Sequence, residues 1–227
     1  MSNFRRPKKP TTRRMQETRP NPPKEHSTSP RPAHEIRWNC PVAAKCGGCQ
    51  LTRLSYAEQL QWKQQRVTEL LDGICEVRPI LGMDDPFHYR NKVHAVLSVD
   101  KTGKPISGVY AMGTHRVVPV RHCLIEDRRA DHIIQTIVAM LPAYKLRIYN
   151  EYTHRGFLRH ILIRTGHVTG QIMVVLVATS LEFPGKKAFV QELIQRHPEI
   201  TTVVLTLHDG RRIALRGKID RIDRWEG

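Results

Sequence analysis

Residues 157–178 read FLRHILIRTGHVTGQIMVVLVA, and this stretch decides the fold predicted for the chain. Apolar and β-branched side chains dominate the runs from Phe157 to Arg164 and from Gln171 to Ala178, and such side chains favour extended backbone. The segment between them, 166–170, begins and ends with glycine and predicts a turn. The two runs therefore predict adjacent strands of a sheet.

The elements around this strand pair extend the prediction to an α+β domain. An alternating run over 93–99 turns at 101–104 and returns over 106–110, which predicts an antiparallel hairpin. Helices are predicted at three places by apolar residues at helical spacing. They are a helix capped by Ser55 and Glu58 with Leu60, Val67, Leu70 and Leu71 on one face, a helix over Ile133 to Leu141, and a helix over Lys186 to Arg196. The predicted fold class is α+β, an antiparallel sheet with flanking helices.

Composition divides the chain into three parts. Residues 1–38 are rich in proline, arginine and lysine and poor in apolar side chains, which predicts a disordered basic arm. Residues 39–204 hold enough apolar material for one core. Residues 205–227 read as a hairpin with a turn at Asp209 and Gly210, followed by a polar strand, and predict a foreign, hairpin-like tail.

Charge favours a nucleic-acid partner. The 37 Lys and Arg residues exceed the 21 Asp and Glu residues, and the formal net charge is +16 at pH 7. RNA phosphates attract such a chain through counterion release, whereas a solubilising basic tail is the plainer alternative for the arm. Because no apolar run is long enough to span a membrane and no secretory signal is evident, we expect a cytoplasmic protein without membrane contact. We also expect a monomer.

Four of the five cysteines predict a metal centre. Cys40, Cys46 and Cys49 follow the spacing C-x5-C-x2-C on one loop, and Cys123 is a candidate fourth ligand. Three ligands on one loop with a distant fourth favour a [4Fe–4S] cluster, while zinc and ordinary thiols stay open as alternatives. The small pair Gly47-Gly48 lets backbone N–H groups approach such a cluster. Cys75 lies in an apolar run and is expected to be a small buried side chain.

The order and spacing of several motifs resemble a known family. From Cys40 to about Val204 the chain resembles the central domain of bacterial SAM-dependent RNA uracil-C5 methyltransferases, which modify 23S ribosomal RNA and tRNA. The matching stretches are 40–50, 89–92, 108–110 with 115–118, Cys123, 156–160 and 166–177. The resemblance implies that Cys40, Cys46, Cys49 and Cys123 hold a structural [4Fe–4S] cluster and that RNA is the partner.

The same resemblance implies residues that contact RNA. Tyr89, Arg90, Asn91 and Lys92 fall on a substrate-facing strand, where cations can meet phosphates and the ring can stack on a base. A solvated face of the sheet is the plainer interpretation of these side chains. Arg159 and His160 fall in the family's G-x-x-R-H segment, where they hold RNA or orient a catalytic domain.

The catalytic half of that family is not evident in this sequence. No G-x-G-x-x-G turn marks a SAM site, and no cysteine follows Cys123 to attack the uracil ring. We therefore expect a truncated chain that is inactive alone, name no catalytic residue, and assign SAM to the full-length family only. A stand-alone RNA-binding [4Fe–4S] module is the alternative.

The tail has a resemblance of its own. The stretch 217–223 resembles a strand of the RecB-like nuclease domain of bacterial helicase–nuclease repair enzymes, which implies that Asp220 is a Mg²⁺ ligand. A fragment of a DNA repair nuclease is therefore the second alternative. Nuclease activity is not expected, because a magnesium site of this kind needs further carboxylates on a strand that does not follow.

Overall fold

A computed structural model describes residues 37–207. The predicted basic arm up to residue 36, and the tail from residue 208 with Asp220, lie outside the described residues. Ten elements follow one another in the described part: α1 (Ala43–Cys46), α2 (Tyr56–Leu70), β1 (Lys92–Val99), β2 (Pro105–Tyr110), β3 (Val117–Pro119), α3 (Arg128–Met140), β4 (Leu158–Thr165), β5 (Ile172–Ala178), α4 (Lys186–Arg196) and β6 (Ile200–Leu207). This confirms the α+β class.

The strands form one six-stranded sheet in the order β3-β2-β1-β4-β5-β6. The hairpin predicted over 157–178 is confirmed, with Ile161 opposite Leu176 in the antiparallel pair β4–β5. The prediction of an antiparallel sheet is wrong at one edge, where β6 runs parallel to β5. The physical reason is α4, because a crossover helix returns the chain to the starting end of β5 before β6 begins.

The core lies between one face of the sheet and the helices α3 and α4. Alternate residues of β1, β4 and β5 point into it, together with the apolar stripes of both helices. Phe189 of α4 is fully buried and lies edge-on to Tyr144, with ring centroids 5.1 Å apart. Each such side chain contributes about 1.5–3 kcal/mol to folding by leaving water.

Helix α2 departs from the prediction at its apolar face. Its capping box is confirmed, since Ser55 and Glu58 exchange hydrogen bonds at its first turn. Its predicted inward face is not buried, however, for Val67 is 44% exposed and Leu70 is 61% exposed. The helix packs against the strap formed by residues 78–83 instead of the sheet, and the Met83 N–H donates to the Tyr56 hydroxyl over 2.7 Å.

Two further predictions meet the structure in this part of the chain. Cys75 is exposed, so the prediction of a buried side chain is wrong. The reason is that the segment after Gly73 lies between α2 and the strap, outside the core. Strand β6 continues to Leu207 and pairs Leu205 with Leu176, so the domain boundary expected at residue 204 falls within a strand. No helix among residues 37–207 is long and apolar enough to cross a membrane.

Candidate functional site

The cysteine loop owes its shape to two glycines. The short helix α1 ends at Gly47, whose φ of 66° is left-handed and reverses the chain between Cys46 and Cys49. A Cβ on Gly47 would lie 3.2 Å from Met112, and one on Gly48 would lie 3.2 Å from the Cys46 sulfur. Larger residues would therefore crowd the loop at the positions where the sequence predicted that small ones are needed.

Cys123 is held on a second loop by backbone and carboxylate contacts. Its N–H donates to Asp131 Oδ2 of α3 over 2.9 Å, and Asp131 is buried. The backbone N–H groups of Ile125 and Glu126 donate to its sulfur. Donors of this kind stabilise a thiolate and orient a metal-binding sulfur.

The two loops face one cavity of about 330 Å³. The side chains around it include all four candidate ligands, Cys40, Cys46, Cys49 and Cys123. Its wall also includes side chains from neighbouring segments: Trp38, Arg90, Tyr110, Met112 and Glu126. Within residues 37–207, no group of three or more His, Cys, Asp or Glu side chains is gathered closely enough to hold a single metal ion. The thiols are thus spread around the wall of a shared space.

Burial sets the electrostatics of this cavity. Desolvation, with the charge of Glu126 nearby, raises the pKa of the Cys123 thiol to about 11. Desolvation also raises the pKa of Cys49, although Arg90 opposes this change. The pKa of Glu126 rises to about 7, because the carboxyl is buried and lies beside Asp131. The raised pKa values keep the thiols of Cys49 and Cys123 protonated at neutral pH unless a metal binds them.

The segment with the predicted RNA contacts lies beside the cavity. Backbone hydrogen bonds join residues 88–90 to 124–127, with the Arg90 N–H donating to Ile125 O over 2.7 Å. Tyr89 is 49% exposed, and Arg90 is exposed and lines the cavity. Asn91 accepts a hydrogen bond from Thr165, and Lys92 is exposed at the start of β1. The segment that the sequence predicts to contact RNA therefore lies next to the cysteine cavity.

Arg159 and His160 occupy a different environment. Arg159 makes a two-pronged ion pair with Glu151, in which Nη2 donates to Oε2 over 2.7 Å, and it lies over the Tyr149 ring. His160 is buried and stacks edge-on against His94 at 4.8 Å. Their predicted contact with RNA stays a prediction, and both side chains already have intramolecular neighbours.

Three residues of the site were not found from the sequence. Asp131 and Glu126 hold the Cys123 loop, and Trp38 lines the cavity. The only signal for Asp131 is an acidic residue just before the helix predicted over Ile133 to Leu141, and the structure places it in the first turn of α3. Nothing in the sequence indicates that Trp38 folds back onto the loop that it precedes.

Comparisons with known proteins connect this arrangement to a family. A Clostridium tetani protein named "Uncharacterized RNA methyltransferase" is 36% identical over 190 residues, which are 82% of this chain and 41% of that protein. A protein of Oceanobacillus iheyensis with the same kind of name is 35% identical over 84% of this chain and 42% of its own length. The chain thus spans about two fifths of the length of these curated relatives. No protein-family model matches the chain.

A solved structure shares the fold. The crystal structure of Pyrococcus abyssi tRNA (uracil-54, C5)-methyltransferase in complex with S-adenosyl-L-homocysteine superposes with a TM-score of 0.54, at 22% identity, over 80% of this chain and 42% of that one. At this identity the likeness establishes the fold alone. The sequence matches carry the assignment further: over the matched residues, the chain belongs to the family of these bacterial proteins named RNA methyltransferases.

Proposed function

We propose that this chain is the RNA-binding, cluster-bearing part of a SAM-dependent RNA uracil-C5 methyltransferase that acts on 23S ribosomal RNA or tRNA. The observation that carries the proposal is the single cavity shared by Cys40, Cys46, Cys49 and Cys123. The relatives named RNA methyltransferases support the reaction class. The solved neighbour, whose title names uracil C5 of tRNA, agrees with the choice of base.

The residues fit a [4Fe–4S] cluster better than a single zinc ion. Zinc draws four sulfurs to about 2.3 Å from one point, which leaves no cavity among them. Here all four thiols line a space of about 330 Å³, and its wall is mainly apolar. Two backbone N–H groups already point at the Cys123 sulfur, as cluster sulfurs require.

A bound cluster would supply a covalent link between two loops that the chain otherwise joins weakly. The residues of this chain do the rest. Asp131 holds the Cys123 backbone, Gly47 turns the first loop, and Arg90 supplies positive charge at the cavity wall. The cluster is therefore assigned a structural role, and no catalytic residue is assigned to this chain.

RNA binding is assigned to the exposed segment Tyr89, Arg90, Asn91 and Lys92. An aromatic ring beside two cations is the arrangement with which proteins read unpaired RNA. The net charge of +16 adds a sequence-independent attraction to phosphates. SAM binding and the attack on uracil are assigned to the part of the family's chain that lies beyond the matched two fifths. We expect a monomer in the reducing cytoplasm, where cysteine thiols persist.

Metal analysis of matched cysteine variants tests the proposal. Anaerobically purified wild type is expected to contain iron and acid-labile sulfide in equal amounts and to absorb visible light. Cys46→Ser is expected to lose most of both, whereas Cys75→Ser, which changes the exposed fifth cysteine, is expected to keep them. Zinc without sulfide in wild type, or equal loss in both variants, would refute the cluster assignment.

A transfer assay tests the assignment of the reaction. With labelled SAM and ribosomal RNA, this chain alone is expected to transfer no methyl group, and a full-length relative such as the Clostridium tetani protein is expected to label uracil. Labelling of another base by that relative would overturn the choice of uracil C5.

A further inference from the structure

A second cavity of about 190 Å³ opens beside the cysteine cavity. We call it the side cavity. Its polar and aromatic wall is built from five separate stretches of chain, with Trp38, Gln50, Lys63, Tyr89 and Arg90 among its lining residues. Trp38, Cys49 and Arg90 line both this cavity and the cysteine cavity, so the two cavities are adjacent.

The charge of the side cavity favours an anion. Lys63 and Arg90 both line it, and no Asp or Glu does among the described residues. Glu126, which balances Arg90 in the cysteine cavity, is absent from this wall. Two cations on a wall that holds no carboxylate suit a phosphate group.

The aromatic residues favour a base next to that phosphate. Tyr89 is half exposed at the rim, where its ring face is accessible. Trp38 is fixed against Phe87, with ring centroids 4.6 Å apart. The Trp38 indole N–H is buried and finds no hydrogen-bond acceptor within residues 37–207. A buried donor without a partner is uncommon in folded proteins and indicates that an acceptor comes from elsewhere.

The wall of the side cavity is held in place by backbone contacts. Gln59 of α2 donates to Leu54 O over 3.2 Å, which fixes the helix that carries Lys63 to the cysteine loop. The Asp127 N–H donates to Arg90 O over 3.2 Å, which fixes the opposite side. The volume is smaller than the roughly 300–1,000 Å³ of pockets for drug-sized ligands, so it suits one nucleotide and not a whole SAM molecule.

We propose that the side cavity binds one unpaired nucleotide of the RNA substrate. Tyr89 stacks on the base, the Trp38 N–H donates to a base carbonyl, and Lys63 and Arg90 contact the adjoining phosphate. This inference rests on the proposed RNA-binding function and adds a subsite formed by Trp38 and Lys63 to the segment 89–92. It places the nucleotide directly against the loop that carries Cys49.

Binding of a fluorescein-labelled single-stranded RNA oligonucleotide to the full chain, followed by fluorescence anisotropy, tests the subsite. Tyr89→Ala is expected to weaken binding about 5- to 100-fold by loss of stacking. Lys63→Ala is expected to lower the slope of log affinity against log salt by about one. Trp38→Phe keeps the ring and removes the donor, and is expected to weaken binding about two- to tenfold.

Each variant has a matched control outside the side cavity. Tyr152→Ala removes an 86% exposed tyrosine, Trp62→Phe changes a 51% exposed tryptophan of α2, and Lys101→Ala removes a lysine from the β1–β2 turn. These are expected to bind RNA like wild type, or, for Lys101→Ala, to lose only a small nonspecific part. Circular dichroism is expected to match wild type in all six.

The outcomes separate this inference from the function on which it rests. If wild type binds RNA and the three cavity variants bind no more weakly than their controls, the subsite is overturned while RNA binding stands. If wild type binds no RNA at low salt, the proposed RNA-binding function fails and the subsite fails with it.

Discussion

The sheet with α3 and α4 differs from the cysteine end in how it is held together. The first region buries continuous apolar side chains of β1, β4, β5 and both helices. The cysteine end, formed by residues 37–54 and 120–127, is held by turns, the bend at Gly47 and the bond from Cys123 to Asp131. The first region therefore folds by its own burial. Within its two ranges the second contributes one buried apolar side chain, Ile125, and depends on polar tethers and on the proposed cluster.

The largest effect is expected from Phe189→Ala in the sheet region. The side chain is fully buried, and its loss leaves a cavity that lowers the free energy of unfolding by about 3–5 kcal/mol. Urea denaturation measures the change. Val168→Ala, at a 94% exposed turn position, is the control and is expected to change little. A small effect of Phe189→Ala would mean that this region is not the stable core.

Removal of the proposed cluster is expected to destabilise the cysteine end. Treatment with an iron chelator removes a metal centre that binds the folded state only. Its loss lowers the free energy of unfolding by about 3–4 kcal/mol if the free metal centre is present at 100 to 1,000 times its dissociation constant. Hydrogen exchange is expected to quicken in residues 37–54 and 120–127. Protection is expected to persist in β4 and β5, and equal loss of protection in both regions would contradict the comparison.

Asp131→Ala tests the tether between the two regions. The change leaves the Cys123 N–H without its acceptor in a buried position, which lowers the free energy of unfolding by about 1–3 kcal/mol. Iron content is expected to fall as well. Asp131→Asn keeps an acceptor oxygen and is expected to preserve more of both. If Ala and Asn behave alike, the hydrogen bond is not what holds the loop.

The smallest effect is expected at the start of α2. Ser55→Ala removes one half of the capping box and is expected to lower the free energy of unfolding by about 1 kcal/mol. Thr68→Ala, at an exposed site of the same helix, is the control and is expected to be neutral or slightly stabilising. Thermal unfolding followed by circular dichroism resolves this difference, and equal melting of the two variants would dismiss the cap.

Periodicity made the sheet region predictable. The runs at 157–164 and 171–178 and the helix over Lys186 to Arg196 follow from apolar spacing and turn residues, and the structure places β4, β5 and α4 there. The parallel partner of β5 does not follow, because the residues of β6 show an extended pattern without showing which strand they join. The exposure of one face of α2 could not be predicted for a similar reason, since an apolar stripe predicts burial without indicating which element covers it.

The four candidate cysteines could be named from the sequence, whereas the residues that support their loops could not. The spacing of Cys40, Cys46 and Cys49 is a local signal, and glycine spacing explains the loop. Trp38 and Asp131 reach the site only through tertiary contacts, which no spacing encodes. The ligand set itself remains a prediction that metal analysis decides.

The outward face of α2 and its strap has a consequence for the behaviour of the chain in solution. Leu81 is 94% exposed and Ile74 is 74% exposed, close in sequence to Val67 and Leu70. Exposed apolar side chains of this kind are unfavourable in water and promote association between molecules. The chain is therefore expected to associate more readily as its concentration rises. Its positive charge, which attracts phosphates, opposes this association because its molecules repel one another.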